Sequence, residues 1–195
     1  MKLTLDFNCI IALERNEDSS IHLRKILKLH EQSLVNVYVP AISGNEKQKN
    51  GEYSDSLTQF AFRLRNLSSR NIEILKPLAY IGMCFLDHCV FSSDELVQLD
   101  MQIHNILFPE IPFHWEDFAE KHGLNRDEPS PRWINARCDV ISMWCNIYYK
   151  NDIFITNDRN FFRQRKLHQL QDLGAHQVMK PEDAITYLGK FLLLR

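Results

Sequence analysis

Apolar residues recur along this chain with two alternating periods, and the alternation predicts an α/β protein. Residues 2–5 are a short apolar-rich run suited to a first strand, followed by a polar turn at Asp6-Phe7-Asn8 and an apolar stretch over 9–13. Between 19 and 34, Leu23, Ile26, Leu27 and Leu34 fall near helical spacing, with Ser19 or Ser20 available as N-cap. Residues 34–39 are compact and β-branched before Pro40, which predicts a second strand. Leu57, Phe60, Ala61, Leu64 and Leu67 recur at three and four residues, the mark of an amphipathic helix. Residues 72–75, ahead of Pro77, are a third strand.

The span 80–107 reads as helical with interruptions. Residues 108–131 are irregular and hold Pro109, Pro112, Pro129 and Pro131, four of the seven prolines. That density predicts an inserted loop or lid, with a short helix over Trp115–His122. From 133 to 149 the positions of Ile134, Val140, Ile141, Trp144, Cys145 and Tyr148 predict a strong helix, with Trp144 in the core. Lys150-Asn151-Asp152 is a turn, 153–156 a buried strand, and Asn157-Asp158 its polar end. A helical run, a strand near 177–179 and a helix with Pro181 in its first turn close the chain. Strands alternating with helices imply a mostly parallel sheet. A chain of 195 residues supports one sizeable core, so 1–195 is expected to be a single domain, enlarged by a helical or loop region over 80–131.

Composition narrows the class without choosing a function. The hydrophobic share of 45% and charged share of 25% are those of an ordinary globular domain. The longest apolar runs are too short to span a bilayer, and the first residues reach Asp6 before a signal-peptide core forms. A cytosolic protein with no membrane partner is the expectation. Five cysteines without a Cys-x-x-Cys pair suit reduced thiols, and Cys84, His88 and Cys89 lack a second pair at zinc-ligand spacing. The net charge of −2, from 23 basic and 25 acidic residues, argues against a non-specific nucleic-acid coat but permits a local acidic metal site. No Gly-x-Gly-x-x-Gly, phosphate loop or Gly-x-Ser-x-Gly elbow is present.

The chemistry lies in carboxylates placed at element ends. In a parallel sheet, ligands gather beyond the carboxyl ends of the strands. Asp6 follows the first strand, Asp158 follows the 153–156 strand, and Glu46 stands a few residues past the second. Asp139 lies early in the helix leading into the 153–156 strand, and a crossover helix brings its first turns over the same edge. Crowded carboxylates repel, and a hard divalent cation such as Mg²⁺ or Mn²⁺ resolves the conflict. Arg159, Arg163, Arg165 and Lys166 follow Asp158 as a basic cluster that suits either a solvated face or an RNA-backbone strip.

The motifs around these acids resemble those of PIN-domain nucleases, a family that includes the ribonuclease toxins of bacterial toxin–antitoxin pairs. Leu5-Asp6-Phe7-Asn8-Cys9-Ile10-Ile11 is similar to the opening strand motif, and the Val39 to Glu46 segment to the second. Asn135-Ala136-Arg137-Cys138-Asp139 resembles the third-acid helix. Thr156-Asn157-Asp158-Arg159-Asn160-Phe161 resembles the Thr-Asn-Asp-x-x-Phe signature, and Lys180-Pro181-Glu182 the closing helix start. The likeness covers roughly the first quarter and last third of the chain, by motif order.

It implies a three-layer α/β/α PIN-like fold and a metal-dependent endoribonuclease. Asp6, Glu46, Asp139 and Asp158 would be catalytic metal ligands, with Asn8, Thr156 and Asn157 orienting them. RNA is the implied substrate, and a homodimer and an antitoxin-like protein partner are implied by the family alone. Asn160 departs from the pattern where many relatives carry a further acid, and the 80–131 region exceeds the small toxins. The alternatives are a catalytically weak PIN-like RNA-binding or protein-interaction module and a structure-specific DNA nuclease, the latter lacking a basic duplex-binding stripe.

Overall fold

The structure, a computed structural model, describes residues 1–41, 57–80, 84, 85 and 87–193. Five parallel strands form one sheet among them: β1 (Lys2–Leu5), β2 (Asn36–Pro40), β3 (Glu73–Leu75), β4 (Ile153–Ile155) and β5 (Gln177–Met179). Their spatial order is β3-β2-β1-β4-β5. Helices cover both faces, so the fold is a three-layer α/β/α arrangement, as the alternating periods predict.

The two faces follow from the two-residue period of each strand. Leu3, Leu5, Val37, Val39, Ile153 and Ile155 point into one buried cluster. There they meet residues of α1 (Phe7–Arg15), α2 (Ser20–Glu31), α3 (Leu57–Arg65) and α8 (Pro181–Leu193). Phe154, Val178 and Leu75 enter the opposite cluster. That side is built with α4 (Asp94–Leu107), α6 (Pro131–Tyr148) and α7 (Gln164–Asp172), and Trp144 is fully buried in it. Thr4 is the polar exception on β1; its hydroxyl accepts from Asn146 Nδ2 (3.0 Å) and Asn151 Nδ2 (2.8 Å), tying the end of α6 to the sheet.

The strand order places a switch point at the centre. From β1 the chain moves outward through β2 and β3, then returns to lay β4 on the other side of β1. Connections on either side of such a point diverge and leave a crevice at the carboxyl edge. Leu5 pairs with Ile155, so the residues just beyond them, Asp6 and Thr156, face each other across that crevice.

Two local expectations are corrected. Asp6-Phe7-Asn8 is not a separate turn: α1 begins at Phe7, because the Asp6 carboxylate accepts from Phe7 N (2.8 Å) and caps the helix directly. The span from 80 to 107 is helical only from Asp94 onward among the described residues. Before it, Leu78 and Val90 form a parallel bridge, and Asp94 and Glu95 supply the acidic first turn of α4. Within 108–131, α5 (Trp115–His122) forms as expected. Its Trp115 and Phe118 pack with Ile111 and with Trp133, Ala136 and Ile141 of α6, giving this region its own small core.

Candidate metal centre

Asp6 and Asp158 meet at the crevice between β1 and β4. Asp6 is buried and its backbone N donates to Ile155 O (2.9 Å), the last rung before the strands part. Asp158 is half-buried and caps a single 3-10 turn, Arg159–Phe162, by accepting from Asn160 N through Oδ1 (2.8 Å).

Thr156 joins the two acids. Its hydroxyl donates to Asp6 Oδ2 (2.7 Å) and accepts from Asp158 N (3.0 Å) and from Asn8 Nδ2 (2.9 Å). A hydroxyl has one proton and two lone pairs, so Thr156 is fully used. Asn8 Nδ2 also reaches Asp6 Oδ2 (2.5 Å), and Asn8 Oδ1 accepts from Asn157 N (3.0 Å). That second bond fixes which end of the amide is which. Asn157 Nδ2 donates to Ser19 Oγ (3.0 Å), so Ser19 receives this link rather than capping α2 with its side chain. Of the three residues expected to orient the acids, Thr156 and Asn8 bond Asp6 directly, whereas Asn157 bonds Asn8 and Ser19 among the described residues.

The electrostatics are unbalanced. Burial pushes the Asp6 carboxyl up to about 6 from 3.8, while bonds from Thr156 and Phe7 pull it down; the nearby Asp158 charge adds to the rise. Among the described residues neither Asp6 nor Asp158 forms an ion pair with a basic side chain. A buried carboxylate beside a second one, without a cation, is an expensive arrangement. Asp6 Oδ2 is filled by two donors, whereas among the described residues Oδ1 accepts from Phe7 N alone. Asp158 Oδ2 has no donor among the described residues. The oxygens left over suit a hard cation that keeps several waters.

The other expected ligands stand differently. Asp139 is half-buried in the first half of α6 and has interactions of its own. Among the described residues, no three His, Cys, Asp or Glu side chains come together in a group that could hold a metal. The expected convergence of Asp139 with Asp6 and Asp158 is therefore not seen as a ligand cluster. Glu46 lies outside the described residues.

The basic cluster divides. Arg159, Arg163 and Arg165 are exposed. Lys166 is not part of an open strip: Nζ donates to Asn160 Oδ1 (2.6 Å) and to Leu107 O (2.5 Å). Burial first, and Arg163 second, push its ammonium below the usual lysine value; Glu110 and Asp158 oppose that fall.

A buried polar group also escaped the sequence reading. Arg137 Nη2 donates to Asp100 Oδ2 (2.5 Å) and its Nη1 pairs with His104 Nδ1 (3.2 Å). His104 Nε2 meets Ile111 O (2.6 Å), which assigns the proton to Nε2 and leaves Nδ1 to accept. The guanidinium lies over the rings of Tyr80 (4.7 Å) and Phe113 (4.5 Å). The available signal was an arginine within the apolar helix 133–149, with Asp100 and His104 four residues apart. Among the described residues no helix is long and apolar enough to cross a membrane. Compared with models of known protein families, with curated proteins and with solved structures, the chain matches none, so its own residues carry the functional reading.

Proposed function

We propose that this chain is a divalent-metal-dependent ribonuclease that hydrolyses RNA phosphodiester bonds with Mg²⁺ or Mn²⁺ at the Asp6–Asp158 centre. One observation carries the reading: a buried carboxylate and a second carboxylate meet at the sheet's switch point, and neither has a basic side-chain partner among the described residues. When bound, the ion supplies an activated water and offsets charge developing on the phosphodiester. Asp6 and Asp158 are the ligands this reading starts from, and Asp139 and Glu46 would join them by the motif likeness alone. Thr156 and Asn8 hold Asp6 in one orientation through the bonds already described. Arg159, Arg163 and Arg165, just past Asp158, offer positive charge to the RNA backbone. The choice of RNA over DNA rests on the motif likeness.

The test is cleavage of labelled RNA by the full chain with Mn²⁺, with EDTA, and with Asp6→Asn or Asp158→Asn protein. Metal-dependent cutting that both folded variants lose is the expected result. A second reading is a catalytically weak PIN-like RNA-binding or interaction module. The Asn160 amide, hydrogen-bonded through both Oδ1 and Nδ2 at the position where the motif likeness implies a further acid, favours it. Wild type that cuts no RNA in a broad panel and takes up no Mn²⁺ by calorimetry would replace the enzyme with that module.

A further inference from the structure

We infer that the cleft between the first turns of α2 and α8 holds a backbone phosphate of the RNA strand, next along from the one at the Asp6–Asp158 centre, with Arg159 and Lys180 as its counter-charges. The inference rests on the ribonuclease reading above and gives the strand a path.

The cleft measures about 420 Å³ and lies at the carboxyl edge of the sheet. Ser19 and His22 line it from the start of α2, Asn157 and Arg159 from the turn after β4, and Lys180 and Glu182 from the start of α8. Direct bonds tie these walls to the metal centre. Asn157 N donates to Asn8 Oδ1 (3.0 Å), and Asn8 Nδ2 donates to the Asp6 carboxylate. The Asn157 side chain reaches Ser19 Oγ (3.0 Å). Thr156, whose hydroxyl donates to Asp6 Oδ2, also donates its backbone N–H to Met179 O (3.1 Å), which brings the next residue, Lys180, alongside. Arg159 directly follows Asp158. A strand with one phosphate on the two acids therefore meets this cleft with a neighbouring nucleotide.

The cleft offers donors that lack acceptors. Among the described residues the Arg159 guanidinium forms no hydrogen bond or ion pair, and neither ring nitrogen of His22 has a partner. Ser19 Oγ accepts from Asn157, but its own proton has no acceptor there. Lys180 Nζ has one loose partner, Glu182 Oε1 at 3.9 Å, with both side chains nearly half exposed; such a pair contributes little, and a phosphate can replace it. The first turns of α2 and α8 add amide N–H groups without intrahelical acceptors, and the positive ends of two helix dipoles. Asp18 also lines the cleft, so its two cations are matched by two carboxylates. That balance disfavours a bare dianion. A phosphodiester carries one negative charge, and its ribose adds a 2′-hydroxyl that a carboxylate accepts. The mixture suits an RNA strand better than free phosphate.

The experiment measures binding without cutting. Full-length protein in EDTA is titrated into a short labelled single-stranded RNA, and fluorescence anisotropy is followed over a range of salt. Arg159→Gln/Lys180→Gln is expected to weaken binding roughly tenfold and to flatten the slope of log affinity against log salt by about 0.7, the loss of one neutralised phosphate. Arg163→Gln/Arg165→Gln removes the same charge from exposed positions outside the cleft and should weaken binding by no more than about threefold. None of the four side chains is buried, so both variants should keep the wild-type urea midpoint. In wild type, the His22 ring signals in NMR, assigned with His22→Gln, should shift when RNA is added and stay in place with inorganic phosphate at equal concentration. Equal losses in the two double variants, or His22 signals unmoved by RNA, would overturn the inference, while metal-dependent cutting by wild type would leave the nuclease standing. His22 signals moved as far by inorganic phosphate would make the cleft a free-anion site and remove the strand's path. If wild type takes up no Mn²⁺ yet RNA binding still depends on Arg159 and Lys180, the enzyme reading falls and the cleft stands as the RNA site of the binding module.

Discussion

Replacing Thr156 with Val, which keeps the shape but removes the hydroxyl, tests whether one side chain links the two acids. The hydroxyl donates to Asp6 Oδ2 and accepts from Asp158 N and Asn8 Nδ2. Its donation to a carboxylate is worth about 1.5–3 kcal/mol, and leaving Asp158 N without an acceptor costs roughly 1–3 kcal/mol if water cannot reach it. Asn8 Nδ2 keeps its bond to Asp6, so it adds little. Asp158 is half-buried, and water partly replaces the lost acceptor. The expected loss is therefore about 2–4 kcal/mol, measured by urea denaturation in EDTA at pH 7. Thr156→Ser keeps the hydroxyl and loses one methyl, about 0.8 kcal/mol. Mn²⁺ affinity of the valine variant should fall roughly 10–100-fold, because the orientation of Asp6 is loosened. The reasoning fails if the valine variant stays within about 0.5 kcal/mol of wild type, or if the serine variant is equally destabilised.

Two further tests probe charge. The metal-free protein should lose stability as pH rises from 3.8 to about 6. In that window the unfolded chain releases the Asp6 proton while the folded state keeps it, so the folded state binds more protons. The wild-type-minus-Asp6→Asn difference isolates this slope; a flat difference refutes it. At pH 7, Mn²⁺ at 100 times its dissociation constant should restore about 2.7 kcal/mol, an effect that EDTA removes. Arg137→Met leaves Asp100 buried and unpaired and should cost about 3–5 kcal/mol, whereas Asp100→Leu/Arg137→Met should recover most of that loss. Equal destabilisation of both proteins would show that the ion pair itself is not the source.

Much of this protein was legible along the chain. The five strands arise from short apolar runs closed by polar or proline residues, and each was placed within one or two residues of its position. Asp6 and Asp158 were legible as acids directly following such runs, and Trp144 as a core residue on the helix that precedes β4. The start of α1 was missed because Asp6 serves two ends: it follows β1 and caps the next helix with the same carboxylate. The span before Asp94 was misread because an apolar residue such as Val90 suits a bridge as well as a helix, and pairing with Leu78, outside that span, decided between them.

Local pattern determined the element types, the mostly parallel sheet and the acids at strand ends, since these depend on periods of two and 3.6 residues. Only the tertiary structure decided which of those acids meet. The strand order put β4 beside β1, and the pairing of Leu5 with Ile155 brought Thr156 onto Asp6 across 150 residues of sequence. It also sent Lys166 to the carboxyl end of α4 rather than into an open basic strip, and buried Arg137 between Tyr80 and Phe113. Such contacts join residues with no regular spacing between them. They form because a packed interior must give each buried polar group a partner, a requirement met by whichever element lies nearest.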